Sequence, residues 1–272
     1  MKRIAIIGKL IHIMDAQMPV PAMWGWFHIL FVILTVVACA VLCKTHGEKN
    51  EAFVRQLLLV SGLIVLLLEV YKQLNHTFRY DGVQITVDYP WYIFPFQFCS
   101  TPMYISILAA VTKSRRLREA FYAYLASYAV FAGLCVMVYP GDVFIQTIGV
   151  NVQTMVCHGA MIVVGIYLLK TGYIEPAFQT LLRAFPVFVS CVAVAAVLNE
   201  LAFFGGLLTD ETFNMFFISP HCESTLPVYS IVHKALPYPW SVLCYIVCFS
   251  AAAYLVLLAA KVFKGMRRRA KI

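Results

Sequence analysis

The sequence predicts an all-α protein, a polytopic bundle of about seven transmembrane helices. Apolar residues make up 62% of the 272 residues and charged residues only 12%, about half the charged share of a typical soluble domain. A soluble fold has too little interior to bury so much apolar surface, and a bilayer removes that constraint. The net charge of +8 falls in short stretches between apolar runs and at the C-terminus, which indicates topology signals and not a nucleic-acid partner.

Seven segments are long and apolar enough to span, since a spanning helix needs about 20 mostly apolar residues. Residues 1–23 precede them and are predicted to form an interfacial segment, because Lys9 interrupts their apolar part. The helical domain covers residues 24–263, and residues 264–272 form a basic cytoplasmic tail. Pro186 in the sixth span predicts a kink. The predicted spans are residues 24–43, 54–75, 90–112, 117–139, 152–170, 178–207 and 237–263.

The distribution of Lys and Arg predicts the orientation. The odd connections and the C-terminus are basic, through Lys44, Lys49, Arg55, Lys113, Arg115, Arg116, Arg118, Lys170, Arg183, Lys261, Lys264, Arg267, Arg268, Arg269 and Lys271. The even connections are poorer in basic residues and contain Asp81, Asp88, Asp142, Asp210, Glu211 and Glu223. Lys2, Arg3 and Lys9 oppose the trend, but four basic segments outweigh them. We predict an outer N-terminus and a cytoplasmic C-terminus, in the cell membrane.

Two of the outer connections are predicted to be more than simple links. In residues 80–89, the dipeptide Asp81-Gly82 precedes an alternating apolar pattern in residues 83–87, which indicates a short hairpin or extended loop. The sixth connection runs to about 30 residues, and loops longer than about 15 residues are often functional.

Four polar or nucleophilic side chains interrupt the spans: Glu69 in the second, Cys99 in the third, His158 in the fifth and Asn199 in the sixth. Polar groups in a spanning helix are costly, so each is a candidate functional residue. Each lies roughly 7–9 residues, or about 10–14 Å, from the outer end of its span. A shared depth on four helices predicts that these side chains meet in one pocket.

The third span contains Pro95 and Pro102, which lack the N–H that continues a helix. If the regular helix restarts with Pro95 in its first turn, the amides of residues 96–98 are free to hold an oxyanion. Cys99 then lies close to a positive helix end, which favours the thiolate. A cysteine so placed and facing His158 predicts a nucleophile–base pair.

Ordinary structural roles stay open for the same residues. His158 also fits a packing histidine bonded to a carbonyl, and Asn199 a residue that joins helices. Glu69 fits an ion pair with Lys72 one turn later. Residues 221–223 are His, Cys and Glu, which are residue types that bind metal ions, but adjacent residues in a loop rarely converge on one ion. The chain has no nucleotide-binding or HExxH motif. The sequence therefore predicts neither a metal nor a cofactor.

Short motifs spread from about residue 69 to residue 245 carry a resemblance. They are residues 68–73, 94–100, 158–159, 199, 214–220 and 238–240. In order and spacing they resemble the YwaF-type family of bacterial integral membrane proteins, which is related to the animal transmembrane-protein-164 family. The animal relatives are acyltransferases that remodel phospholipids through an acyl-cysteine intermediate, so the resemblance implies Cys99 as nucleophile and His158 as its base. The family pattern usually has a histidine two residues before the cysteine; here Gln97 stands there, and it cannot shuttle a proton at neutral pH.

The first functional hypothesis is therefore a lipid acyltransferase or acyl hydrolase. Cys99, deprotonated by His158, attacks an ester carbonyl of a phospholipid from the outer leaflet, and a lysophospholipid or water then takes the acyl group. Asn199, with the amides after Pro95 or the side chain of Asn214, is predicted to hold the oxyanion, and Glu69 to orient His158. The residues predicted to contact the substrate are Gln97, Asn214 and Trp240.

The second hypothesis is a transporter or small-molecule receptor whose polar pocket binds a solute. In that case Cys99 is dispensable, whereas Glu69, His158 and Asn199 contribute to binding. Transport predicts paired discontinuous helices in two halves, and the sequence shows no convincing repeat.

Overall fold

A computed structural model describes residues 2–141, 143–206 and 212–269 and confirms the all-α bundle. Six helical stretches within these residues are long and apolar enough to cross a membrane, with bounds Trp26–Thr45, Glu51–Thr77, Arg115–Val138, Ile148–Lys170, Phe178–Phe204 and Trp240–Met266. The helices are α1 (Lys2–Met14), α2 (Trp26–Thr45), α3 (Glu51–Thr77), α4 (Thr101–Val111), α5 (Arg115–Tyr124), α6 (Val130–Val138), α7 (Ile148–Lys170), α8 (Phe178–Phe204), α9 (Tyr229–Ala235) and α10 (Trp240–Arg269).

The third predicted span is the one that differs. Residues 90–112 do not form one long helix: two single 3₁₀ turns, Trp91–Ile93 and Phe98–Ser100, precede α4, which has 11 residues. Phe94, just before Pro95, has an extended ψ of 132°, the conformation that a following proline imposes. The regular helix therefore restarts at Thr101, with Pro102 in its first turn, and not at Pro95 as predicted.

The other predicted spans match helices to within a few residues. The fourth runs continuously from α5 through one π-helical turn, Leu125–Ala129, into α6. The sixth, α8, stays one helix through Pro186, where the hydroxyl of Ser190 donates to the Pro186 carbonyl at 2.8 Å. The last, α10, continues to Arg269, so no helix end marks the predicted start of the tail at residue 264. Asp142, Leu207, Asp210, Glu211 and Lys271 lie outside the described residues.

The odd connections gather at one end of the bundle, as the alternation of spans requires. Arg55 of α3 donates to the carbonyls of Ala110 and Thr112 in the third connection, at 2.7 and 3.3 Å. Arg118 of α5 pairs with Glu51 at the start of α3, at 2.9 Å. This basic end is the predicted cytoplasmic face, and its assignment stays a prediction.

The N-terminal segment and the second and fourth connections meet at the opposite end. Tyr71 and Asn75 of α3 donate to the carbonyl of Met14, at 2.6 and 3.1 Å. The amide of Met18 donates to the carbonyl of Gln146 at 2.8 Å, just before α7. Helix α1 leaves an apolar face exposed, including Ile6, Leu10 and Ile13, and this face fits the predicted interfacial role.

The second connection forms the predicted hairpin. Strand β1 (Phe78–Tyr80) pairs antiparallel with β2 (Ile85–Val87). Between them, the carboxylate of Asp81 accepts the amides of Val83 and Gln84, both at 2.8 Å. These hydrogen bonds favour the ionised form and lower the pKa of Asp81 below its ordinary value.

An aromatic core fixes the irregular segment before α4. The ring of Phe98 lies 5.7 Å from that of Phe188 on α8 and 5.2 Å from that of Phe249 on α10. It also lies 5.7 Å from Phe216 in the sixth connection. Ring pairs at these separations add to area burial by about 0.5–1.5 kcal/mol each. Phe98 thereby sets the position of its neighbour, Cys99.

Candidate active site

Cys99 lies in the 3₁₀ turn Phe98–Ser100, immediately before α4. The N-terminal amides of α4 carry partial positive charge, and the turn that carries Cys99 lies at that end of the helix. The nearest helix start is therefore that of α4, with Pro102 in its first turn, and not the one predicted at Pro95; the effect on the thiolate stays a prediction. On the α7 side, the thiol of Cys157 lies 3.8 Å from the carbonyl of Cys99. The turn that carries Cys99 therefore packs directly against α7.

His158 presents an unusual arrangement of its two ring nitrogens. Its Nδ1 lies 2.7 Å from the carbonyl of Thr154, one turn earlier on α7. A carbonyl only accepts, so Nδ1 carries the proton and Nε2 of the neutral ring carries a lone pair. The side chain is 5% exposed, and Nε2 has no hydrogen-bond partner among the described residues. Leaving a buried acceptor without a donor costs about 1–3 kcal/mol.

Cys99 and His158 occupy the same region without a direct hydrogen bond. Cys157, which touches the Cys99 carbonyl, is the residue before His158. The ammonium of Lys72 interacts electrostatically with both Cys99 and His158. Within the described part of the chain, the hydrogen bonds do not include one between the sulfur and Nε2. A base can act through one water, and catalytic contacts often tighten only when substrate binds.

Glu69 does not orient His158, and the predicted triad is therefore wrong in its third member. One carboxylate oxygen of Glu69 accepts from Gln73 and pairs with Lys72, both at 2.7 Å. The other accepts from Gln153 of α7 at 3.1 Å. The carbonyl of Thr154 holds His158 instead. The alternative interpretation of Glu69, an ion pair with Lys72, is the one that the structure confirms.

This buried polar network ties α3 to the irregular segment. The amide of Gln73 also donates to the carbonyl of Ile93 at 2.9 Å. Its oxygen accepts the hydroxyl of Tyr89 at 2.7 Å. Because Glu69 and Gln73 are one helical turn apart, both project from the same face of α3. The network holds the start of the segment that ends at Cys99.

Gln97 and Asn199 form a second cluster that clamps the sixth connection. Gln97 donates to the carbonyl of Asn214 and accepts the amide of Phe216, both at 3.0 Å. Asn199 accepts the amide of Met215 at 2.7 Å and donates to its carbonyl at 3.1 Å. Two side-chain amides from different segments thus grip three consecutive residues of one loop.

The oxyanion roles predicted for Asn199 and Asn214 are not what the structure shows. The oxygen and the nitrogen of the Asn199 side-chain amide are both hydrogen-bonded to the backbone of Met215. Asn214 accepts the amide of Ser219 at 2.9 Å and donates to the carbonyl of Glu223 at 3.2 Å. The amide of Phe96, which was predicted to be free, donates to the carbonyl of Phe94 at 2.7 Å.

The clamped loop holds a strained backbone. Phe216 and Phe217 have φ values of 58° and 60°, in the left-handed region that costs a non-glycine residue about 1–2 kcal/mol. Phe216 is nevertheless fully buried, and its ring lies 6.0 Å from that of Phe96. Hydrogen bonds from Gln97 and Asn199 offset the strain and press this loop against the segment that carries Cys99.

The predicted single pocket is thus two polar clusters, joined by residues 94–99. One cluster lies between α3 and α7 and contains Glu69 and His158, and the other joins α8 to the sixth connection through Asn199. Gln97 and Asn214 belong to the second cluster as structural residues. Trp240, a predicted substrate contact, lies 62% exposed at the first residue of α10, a position typical of interfacial tryptophans.

Several contributors were not singled out from the sequence. Gln153, Thr154 and Cys157 lie within two turns of His158 on α7. The signal for them was a group of polar residues in an otherwise apolar helix, which is costly unless each residue has a partner. Their individual partners could not be read from that signal.

Comparison with known proteins adds one finding. Residues 23–258 match the model of the TMEM164 family. No curated protein sequence matches the chain, and no solved structure does.

Proposed function

The chain belongs to the TMEM164 family, since the family model spans most of its length, and from this premise we propose that it is a phospholipid acyltransferase or acyl hydrolase. It is a multi-pass membrane protein with several apolar spanning helices, and we place it in the cell membrane. In the proposed reaction Cys99 is the nucleophile and His158 the base. Phospholipids are the acyl donors, and lysophospholipids or water are the acceptors.

The main support is the unpartnered Nε2 of His158. Most buried polar side-chain atoms have a hydrogen-bond partner, and a general base needs one ring nitrogen with a free lone pair. The Thr154 carbonyl sets the tautomer that leaves the lone pair on Nε2. Cys99 lies in the turn that packs against Cys157, the residue before His158. A cysteine thiol is a common nucleophile in covalent catalysis.

The reaction balances with these two groups. His158 takes the thiol proton, directly or through one water, and the sulfur of Cys99 forms a bond to the ester carbonyl carbon. The carbon–oxygen ester bond then breaks, and His158 returns the proton to the departing lysolipid hydroxyl. In the second half, His158 takes a proton from an acceptor hydroxyl, whose oxygen attacks the thioester carbon and displaces the sulfur. His158 then returns this proton to the sulfur, which regenerates the thiol.

Charge on the tetrahedral intermediate needs stabilisation from groups other than those predicted. The amides of Asn199 and Asn214 are already bonded within the protein, so we assign this role to the positive end of α4, supplemented by the charge of Lys72. Gln97, at the position where the family pattern usually has histidine, holds the sixth connection. The proposed mechanism uses His158 alone for proton transfer.

The alternative, a solute transporter or receptor, has less support. It requires Glu69 and Asn199 to offer polar groups to a ligand, and both side chains are occupied by contacts within the protein.

The test is acyl exchange in membranes that contain the full chain, supplied with a phospholipid labelled in its acyl group and an unlabelled lysophospholipid. We expect label on the protein through a hydroxylamine-sensitive thioester. Cys99→Ala should lose the thioester and lower exchange at least about 100-fold, because it removes the nucleophile. His158→Gln should lower exchange about 100- to 10,000-fold, which is the usual contribution of a general base.

Cys157→Ala is the matched control, since it removes a buried thiol next to His158 that has no proposed role in the chemistry. It should keep both the thioester and most of the exchange. Undiminished exchange by Cys99→Ala, in protein shown to be folded, refutes the mechanism. Labelling that moves to Cys157 in the wild type would also refute it.

A further inference from the structure

A long groove on the surface of the bundle is not used by the proposed chemistry. It lies between α4, α5 and α8 and has a cavity volume of about 770 Å³, within the usual size of a ligand site, about 300–1,000 Å³. Its walls are mostly apolar and include Phe96, Phe121, Val187 and Val194. One end lies among basic residues and the other against the segment that carries Cys99.

The length of the groove matches one bilayer leaflet. Along α8 it extends from Arg183 to Val194, and eleven residues at 1.5 Å each span about 17 Å. Half of a typical hydrocarbon core is about 15 Å. Leu182, Pro186 and Val194 on this wall are exposed, so the groove opens sideways, where lipid would lie.

The basic end of the groove is complementary to an anion. Arg116 and Arg183 both line it, together with Glu119. Glu119 pairs with Arg115 at 2.9 Å and more loosely with Arg183 at 3.7 Å. Arg116 and Arg183 carry two positive charges and Glu119 one negative charge, so the groups that line this end have a net positive charge. Arginine is well suited to bind phosphate because its donors form a planar fork.

We propose that this groove binds one anionic phospholipid from the leaflet on the basic side. An acyl chain lies along Phe121 and Val187 towards Phe96, and the headgroup phosphate is bound by Arg116 and Arg183. The combination decides the occupant: an apolar channel of leaflet length fits an acyl chain, and the arginines at its mouth fit a phosphate. The site is separate from the Cys99 chemistry, and its occupancy does not depend on acyl transfer.

The first test is thermal unfolding of the full chain in detergent micelles with added lipid. Phosphatidylglycerol near about 100 times its Kd should raise Tm by about 5–10 °C. Phosphatidylcholine should raise it much less, since its headgroup carries no net charge. Glycerol phosphate, which has the anion but no acyl chain, should raise it little. A shift from phosphatidylcholine or from glycerol phosphate as large as that from phosphatidylglycerol would overturn the proposal.

Paired variants identify the residues. Arg116→Gln with Arg183→Gln should abolish the shift produced by phosphatidylglycerol, and Glu119 keeps Arg115 as its partner in that variant. Lys44→Gln with Lys170→Gln is the matched control, because it removes two cations from the same end that do not line the groove. A shift retained by the arginine variant, or lost equally in the lysine variant, refutes the site.

A second measurement covers the case in which the arginine variant fails to fold. Phosphatidylglycerol with a photoreactive group on its acyl chain should label peptides of α5 and α8, and excess unlabelled lipid of the same kind should compete. Ser190→Phe, which places a ring in the groove, should reduce that labelling several-fold. Labelling spread equally over α2 and α10 would overturn the proposal. The Cys99→Ala variant should label normally, so failure here is distinguishable from failure of the proposed acyl transfer.

Discussion

Asn199 is predicted to act as a clamp on the sixth connection, and its replacement tests this role. In Asn199→Ala, the amide of Met215 loses its partner, and its carbonyl keeps only the amide of Ile218, at 3.4 Å. Asn199 and Met215 are fully buried, so water does not readily replace the lost side chain as a hydrogen-bond partner. The orphaned amide costs about 1–3 kcal/mol and the hydrogen bond lost by the carbonyl about 1 kcal/mol, which gives about 2–4 kcal/mol in total. The strained φ of Phe216, no longer held from this side, favours release of the loop, so the lower half of that range is expected.

Thermal unfolding in detergent measures the loss. For a chain of this size about 1 kcal/mol corresponds to 2–4 °C in Tm, so Asn199→Ala should lower Tm by roughly 4–12 °C. Asn75→Ala is the matched control: Asn75 is also buried but donates a single hydrogen bond, to the carbonyl of Met14. It should lower Tm by no more than about 4 °C.

The clamp has a second signature. Gln97 grips the same loop from another segment, through the neighbouring carbonyl of Asn214 and amide of Phe216. Once one clamp is lost and the loop is released, loss of the other should cost less. We expect the double variant Gln97→Ala/Asn199→Ala to be less destabilised than the sum of the single variants, by about 0.5–3 kcal/mol. An Asn199→Ala protein with unchanged Tm, or strictly additive losses, would refute this reasoning.

Two further predictions concern packing and charge. Glu69→Leu should destabilise the bundle by about 3 kcal/mol, because it leaves the ammonium of Lys72 without its buried partner. Adding Lys72→Leu should restore much of this loss, as measured by thermal unfolding. A double variant as unstable as the single variant would contradict this prediction. Gly165→Ala should cost about 1–3 kcal/mol, since an added Cβ would come within 2.1 Å of a side chain of α6. Gly265→Ala, which meets nothing within 4 Å, should not lower Tm in the same assay, since alanine favours the helix more than glycine does.

Much of the fold could be predicted because its signals are local. Apolar runs of spanning length, interrupted by basic connections, predicted the helices to within a few residues. The third span shows the limit of this approach. Pro95 and Pro102 indicated an irregular helix. The residue at which the regular helix begins depends on the packing of Phe98 among rings from α8, α10 and the sixth connection, which the sequence does not show.

The candidate site was predicted in part. Cys99 and His158 were recognised by residue type and by their place in a spanning segment, and the structure brings them to the same region through Cys157. The roles of Glu69 and Asn199 were wrong, because a polar residue in a membrane helix signals only that it needs a partner. It does not say whether that partner is a substrate, another helix or a loop.

The sequence by itself determined the helical membrane bundle, the family and the two residues proposed for the chemistry, because composition, proline placement and motif order are properties of the chain. Tertiary structure alone decided how the polar groups pair. Gln97 and the amide it accepts are 119 residues apart, and Glu69 and Gln153 are 84 apart. Only the folded bundle shows that Asn199 and Gln97 form hydrogen bonds to a strained loop, whereas Nε2 of His158 keeps its lone pair. The reason is that a polar group bonds to whatever lies near it in space, however distant in sequence.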